Sequence, residues 1–202
     1  MTQRTISITS ILGVLIMTAL STPAQPQPGF PGGLQSLPLL TDAETRSISA
    51  ENPTGERGRG GMAIPDPAEP PEEQAASARA ADDLGQGWKV KPFLRVNAGK
   101  TATLMDVDGS GVIQHIWMVE GLKRDHVLRF YWDGEETPSV EVPVGDFFAN
   151  CFGKRMEVIS DAVIVEDGDS YNCFWHMPFR KSARIEIVNQ SEKPIRKLYK
   201  FG

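Results

Sequence analysis

Residues 128–149 read LRFYWDGEETPSVEVPVGDFFA, and their pattern decides the fold. The first five are apolar or aromatic apart from Arg129, and the polar tip Asp133-Gly134-Glu135-Glu136 follows. Beyond the tip, Val140, Val142 and Val144 alternate with Ser139, Glu141 and Pro143. Successive side chains of an extended chain point to opposite sides, so the valines share one face and the polar residues the other. Two such runs about a Gly-containing polar tip predict a β-hairpin with one buried face. The stretch ends on Gly145-Asp146-Phe147-Phe148, a carboxylate wedged against two aromatics. An unpaired carboxylate there would be costly, so Asp146 is either a hydrogen-bonded structural residue, the default reading, or a ligand-binding one.

Outward from this hairpin the texture persists. From Trp88 to the end, short runs rich in Val, Ile and aromatics are broken by turn residues every eight to twelve positions. This spacing predicts strands near 88–96, 101–107, 111–120, 126–133, 138–144, 156–166, 172–179, 183–189 and 195–200. Val112 to Val119 is apolar on both faces and belongs at the centre of a sheet covered on both sides. With no βαβ rhythm and no repeat, the expectation is an all-β, jelly-roll-like β-sandwich over 87–202.

The chain before it is different. Arg4 precedes an apolar run from Ile6 to Leu20, and Thr22-Pro23-Ala24 supplies small residues at a cleavage position. Residues 1–24 read as a signal peptide and predict an exported protein, periplasmic or extracellular. A spanning helix competes, but the run falls short of the ~20 apolar residues a bilayer needs. Residues 25–40, QPQPGFPGGLQSLPLL, carry too much Pro and Gly for a helix and predict an extended arm. ENPTGERGRGGM (51–62) is a glycine-rich loop, and the helix formers between Pro71 and Gly85 predict one short helix, completing a 25–86 lead-in.

Composition bounds the function. In 202 residues, with 40% apolar and 23% charged, one core is the expectation. A net charge of −5 with scattered Lys and Arg gives no footprint for nucleic acid. Cys151 and Cys173 either form a disulfide, worth about 3 kcal/mol in an oxidising compartment, or are two small buried hydrophobes. Asn189 in N-Q-S is an acceptor sequon where the host glycosylates, whereas Pro53 spoils Asn52.

Most chemical motifs fail their own tests. Asp106-Val-Asp108-Gly-Ser110-Gly111 opens like a calcium loop, but Trp117 stands where the bidentate Glu belongs, which leaves an Asp/Gly hairpin turn. His115, His126 and His176 fall on different predicted strands without metal-ligand spacing, so no metal is expected. His115 alternates with Ile113, Trp117 and Val119, which makes it either a satisfied core histidine or a wall residue of a sugar pocket. The glycines of 55–61 lack a Gly-Lys-Ser/Thr ending, so no nucleotide cofactor follows.

Several segments together resemble a family. GWKV (87–90), DVDGSGVIQHIWM (106–118), LRFYWDGEETPSVEVPVGDFFA (128–149), NCFWHMPFRKSARIEI (172–187) and RSISAENPTGERG (46–58) are similar, in order, to the amino-terminal half of glycoside hydrolase family 172, also catalogued as domain of unknown function 2961. The resemblance implies a two-jelly-roll protomer, assembly into homotrimers or hexamers, and action on arabinofuranosyl or fructofuranosyl linkages. It places Asp146, Phe147 and Phe148 near a carbohydrate pocket, with Trp117, His115, Arg180 and Asn172 in its wall. No cofactor is implied.

The departure is equally specific. Family members run to about twice this length, and their catalytic glutamates stand in segments resembling W-G-E-G-D and G-T-E-D-Y, neither of which occurs here. No catalytic residue carries over, and the chain is expected to be inactive alone: a truncated product, or half of an enzyme whose catalytic half is separately encoded. The rival expectation is a non-catalytic carbohydrate-binding or assembly module.

Overall fold

The computed structural model describes residues 42–62, 84, 87–89, 91–119 and 123–202. The expected signal peptide and extended arm lie outside them, and so does nearly all of the helix expected before Gly85. Among the described residues no helix is long and apolar enough to cross a membrane.

Twelve strands and one short helix are described: β1 (Phe93–Val96), β2 (Thr101–Asp108), β3 (Gly111–Ile113), β4 (Ile116–Val119), β5 (His126–Trp132), β6 (Val140–Pro143), α1 (Val144–Phe147), β7 (Val158–Ile159), β8 (Val163–Glu166), β9 (Ser170–Cys173), β10 (Met177–Phe179), β11 (Ser182–Asn189) and β12 (Ile195–Phe201). They form a six-stranded sheet in the order β1-β12-β4-β9-β8-β7, a four-stranded sheet in the order β2-β11-β5-β6, and the pair β10-β3. All pairings are antiparallel. The chain passes back and forth between the two larger sheets, so β1-β12-β4-β9 faces β2-β11-β5-β6 as in a jelly roll. The all-β sandwich read from the sequence is the fold.

Alternation places the core. On β11, Ala183, Ile185, Ile187 and Asn189 are buried while their neighbours are not. Leu128 and Phe130 on β5 face the same interior, opposite Ile116 and Met118 on β4, Val163 and Val165 on β8, and Ile195 and Leu198 on β12. Burying one such side chain contributes ~1.5–3 kcal/mol, so the shared interior dominates stability. Val140 and Val142 pair with Phe130 and Leu128 and pack on this core, which is the alternation seen in the sequence.

Three local expectations are corrected. The run 111–120 is two strands, because the chain leaves the β3·β10 ladder and enters the six-stranded sheet at Gln114–His115. The run 172–179 splits likewise at Phe174–His176. The first crossing falls on the polar pair Gln114-His115, which interrupts the alternation, whereas the second falls on Phe174-Trp175-His176, where hydropathy does not mark it. The Asp/Gly turn at 108–111 is not a hairpin: Asp108 pairs with Ser182 and Gly111 with Phe179, so both strands bend and the ladder resumes. Gly109 makes the bend, with φ 99° and its N–H donated to the Lys181 carbonyl at 2.7 Å.

The remaining polar readings resolve simply. Cys173 is buried between Ile116 and Val163, Cys151 is exposed, and both thiols are free. Asn189 is fully buried, its Nδ2 donating to the carbonyls of Val96, Asn97 and Lys193 while its Oδ1 accepts from Ser191. The sequon amide is thus a structural clamp, closed to modification in the folded chain.

Candidate functional site

The strand predicted through Val144 stops at Pro143, whose ring fixes φ at −53° and leads into the single turn of α1. The turn ends in a Schellman arrangement. Ala149 N–H donates to the Asp146 carbonyl at 3.1 Å and Asn150 N–H to the Gly145 carbonyl at 2.8 Å, with Ala149 in the left-handed region at φ 61°. A Cβ on Gly145 would stand 2.9 Å from the Asn150 carbonyl, which explains the glycine.

This turn sorts the predicted Asp-Phe-Phe. Phe148 is fully buried against Tyr171, with ring centroids 5.3 Å apart, and Phe147 stacks on Phe130 at 5.0 Å and meets the edge of Trp175 at 5.4 Å. Asp146 faces outward. Its Oδ1 accepts from Arg124 Nη1 at 2.5 Å, and the same nitrogen donates to the Cys151 carbonyl at 2.7 Å. The charge that looked costly in the sequence therefore has a guanidinium partner.

Around Asp146 opens a cleft of about 480 Å³ between four loops: 123–125, the end of α1, 153–155 and the β8–β9 turn. Its wall carries four cations, Lys123, Arg124, Lys154 and Arg155, against three carboxylates, Asp125, Asp146 and Asp169. Arg155 Nη2 pairs with Asp169 Oδ2 at 2.6 Å, and its Nε donates to the Asp167 carbonyl. Asn150 also lines the cleft. It is 5% exposed, and its amide oxygen has no hydrogen-bond partner among the described residues. Behind Lys123 lies His126, whose Nδ1 accepts the Lys123 N–H at 3.2 Å. Burial, seconded by the Lys123 charge and opposed by Asp125, holds its pKa below the usual histidine value, so the ring is neutral near pH 7.

A second group of predicted residues gathers on the outer face of the six-stranded sheet. Trp117 stands opposite Asn172 across β4·β9. His115 Nε2 lies 3.1 Å from Asn172 Oδ1, and its ring stacks on Phe174 at 4.7 Å. Trp117 Nε1–H donates to Ser170 Oγ at 3.2 Å. None of His115, Trp117 or Asn172 lines the cleft. Arg180 is elsewhere again, at the β10–β11 corner, where its backbone N–H donates to Asp133 Oδ1 at 2.8 Å. Of the seven predicted residues only Asp146 lines the cleft, and Phe147 and Phe148 belong to the core.

Sequence reading missed Lys123, Arg124, Asn150, Lys154, Arg155 and Asp169. They come from separate polar loops, where charge is the norm, and only the tertiary fold brings them together. Asp133 was missed as an anchor: its Oδ1 accepts N–H bonds from Arg180, Lys181 and Ser182, which hold its pKa below the usual carboxylate range. Among the described residues no three His, Cys, Asp or Glu side chains cluster as metal ligands would. Guanidinium, carboxylate and amide groups in one concave site suit the paired hydroxyls of a polyol, each of which both donates and accepts.

Fold and cleft together define a jelly-roll domain with a polar cleft at the end of α1. The comparison with protein families makes this particular: the GH172 domain-like family matches residues 89–199, more than half of the sequence, and the chain belongs to that family. It is a glycoside hydrolase-related domain. A search of curated proteins finds no match.

Proposed function

We propose that this chain is the substrate-contacting, amino-terminal domain of an exported glycoside hydrolase that cleaves arabinofuranosyl or fructofuranosyl linkages. The catalytic carboxylates lie outside these 202 residues, and the protein assembles as a homotrimer or hexamer. The observation that carries this reading is the Asp146 cleft on a GH172-family sandwich. Arg124 fixes the Asp146 carboxylate, and the Asn150 amide oxygen in the same cleft, without a partner among the described residues, is an acceptor for a sugar hydroxyl.

The test is hydrolysis of nitrophenyl α-arabinofuranoside and of a fructofuranosyl disaccharide by the purified chain, alone and mixed with a catalytic partner. The expected outcome is no turnover alone and turnover in the mixture, lost in Asp146→Ala. Turnover by the chain alone would overturn the division of labour. One observation favours a second reading: Phe174 and Trp175 are exposed beside His115, as on a non-catalytic sugar-binding platform. That reading predicts sugar binding lost in Phe174→Ala and retained in Asp146→Ala, with no turnover in any mixture.

A further inference from the structure

The cleft donates more than it accepts. Among the described residues, Arg124 uses only Nη1 of its nitrogens, and Arg155 uses Nε and Nη2. Guanidinium N–H groups on both arginines therefore remain uncommitted. Lys123 and Lys154 border the same cleft, both are exposed, and neither ammonium has an ion pair among the described residues. Once Asp146 and Asp169 are paired off, two lysines face a single carboxylate, Asp125.

This stands on a chain whose net charge is −5. Solvated surface lysines are ordinary, but here they flank a concavity whose wall holds Asn150, nearly inaccessible and with an amide oxygen that has no partner among the described residues. A buried polar group left unsatisfied calls for a ligand or a solvent molecule to complete it, and cations rimming a concavity focus their field into it.

We propose that the sugar bound in this cleft carries an anionic oxygen substituent, a phosphate, sulfate or carboxylate, seated between Lys123 and Lys154, while Asp146 and Asn150 engage its hydroxyls. The inference rests on the reading of the cleft as a sugar site and adds the charge of the sugar.

Calorimetric titration of the full chain with fructose, fructose 6-phosphate and inorganic phosphate tests it. The expected result is fructose 6-phosphate binding at least tenfold more tightly than either fructose or inorganic phosphate, an advantage that shrinks as salt is raised. The double variant Lys123→Met with Lys154→Met, both at exposed positions, is expected to bring fructose 6-phosphate down to the affinity of fructose, with the thermal midpoint unchanged. Equal binding of fructose and fructose 6-phosphate would overturn the anionic substituent and leave the sugar site standing. Inorganic phosphate binding as tightly as the sugar phosphate would reduce the cleft to a bare anion site and overturn the proposal. Failure of all three probes to bind would remove the sugar reading of the cleft itself.

Discussion

Lys200 is paired with Met118 across β12·β4, and both side chains are buried. Its ammonium donates to the Leu104 carbonyl within an apolar surround that includes Met105, Ile113 and Ile185. Desolvation lowers its pKa from the ordinary 10.5 to about 8. The unfolded chain therefore binds this proton more tightly than the folded one, and stability rises with pH between about 8 and 10.5. Below about 8 the penalty is constant, of the order of 3 kcal/mol. Lys200→Met is expected to stabilise the fold by about 3 kcal/mol at pH 7, with the advantage contracting towards pH 10.5. Denaturant unfolding at the two pH values measures this, and a gain that does not depend on pH would show that burial of the charge is not its source. Asp133 shares the direction of the shift, so stability again rises with pH through its window, but here it is the ionised form that the fold stabilises. Its pKa is depressed by the N–H groups of Lys181, Arg180 and Ser182, so its contribution is present at neutral pH and lost as pH falls through the depressed value. Asp133→Asn should lower the thermal midpoint at pH 6 and leave it unchanged once the wild-type carboxyl is protonated.

At the scale of elements, the cleft depends on loops that lock together. Gly168, in the β8–β9 turn, has φ +71°, and a Cβ there would stand 2.8 Å from Met156 N and 2.9 Å from the Arg155 carbonyl carbon. Gly168→Ala is expected to cost about 1–2 kcal/mol in stability. It should also push the 153–156 loop off the turn and weaken ligand binding beyond what the lost stability explains. Titration well below the unfolding temperature tests this, and unchanged affinity would show that the loop is not held by the turn. The same loops explain what was legible in the sequence. The alternation of Val140 and Val142, and of Ala183, Ile185 and Ile187, follows directly from a buried face, so strands and core could be read. The crossing at Gln114–His115 left a trace in two consecutive polar residues, which alternation passes over as one outward histidine, while the crossing at Phe174–His176 is masked by Phe174 and Trp175. Asp146 was singled out by its aromatic neighbours, but Arg124 and Asn150 carry no local signal. The end of α1 was hidden by Ala149, which takes the left-handed position that glycine usually marks.

The whole molecule adds a feature that no single element shows. Phe152, Met156 and Ile159 are exposed along the approach to and on β7, the edge strand of the six-stranded sheet. Phe174 and Trp175 are exposed close by, the Phe174 N–H being donated to the Ala162 carbonyl at 2.8 Å. Ile159 is 81% and Phe152 77% exposed, at a sheet edge whose outer backbone groups have no neighbouring strand among the described residues. Apolar side chains beside an open edge promote association, and a lysine on the edge strand opposes it by placing a charge where a second strand would pair. The chain is therefore expected to sediment as more than one copy, with the larger species gaining as concentration rises. Ile159→Lys combined with Phe152→Ser should return it to a single copy, and because both positions are exposed the thermal midpoint of the dilute protein should not fall. A wild-type chain that sediments as a monomer at every concentration would overturn this reading of the edge. A variant that still assembles would place the contact on another surface.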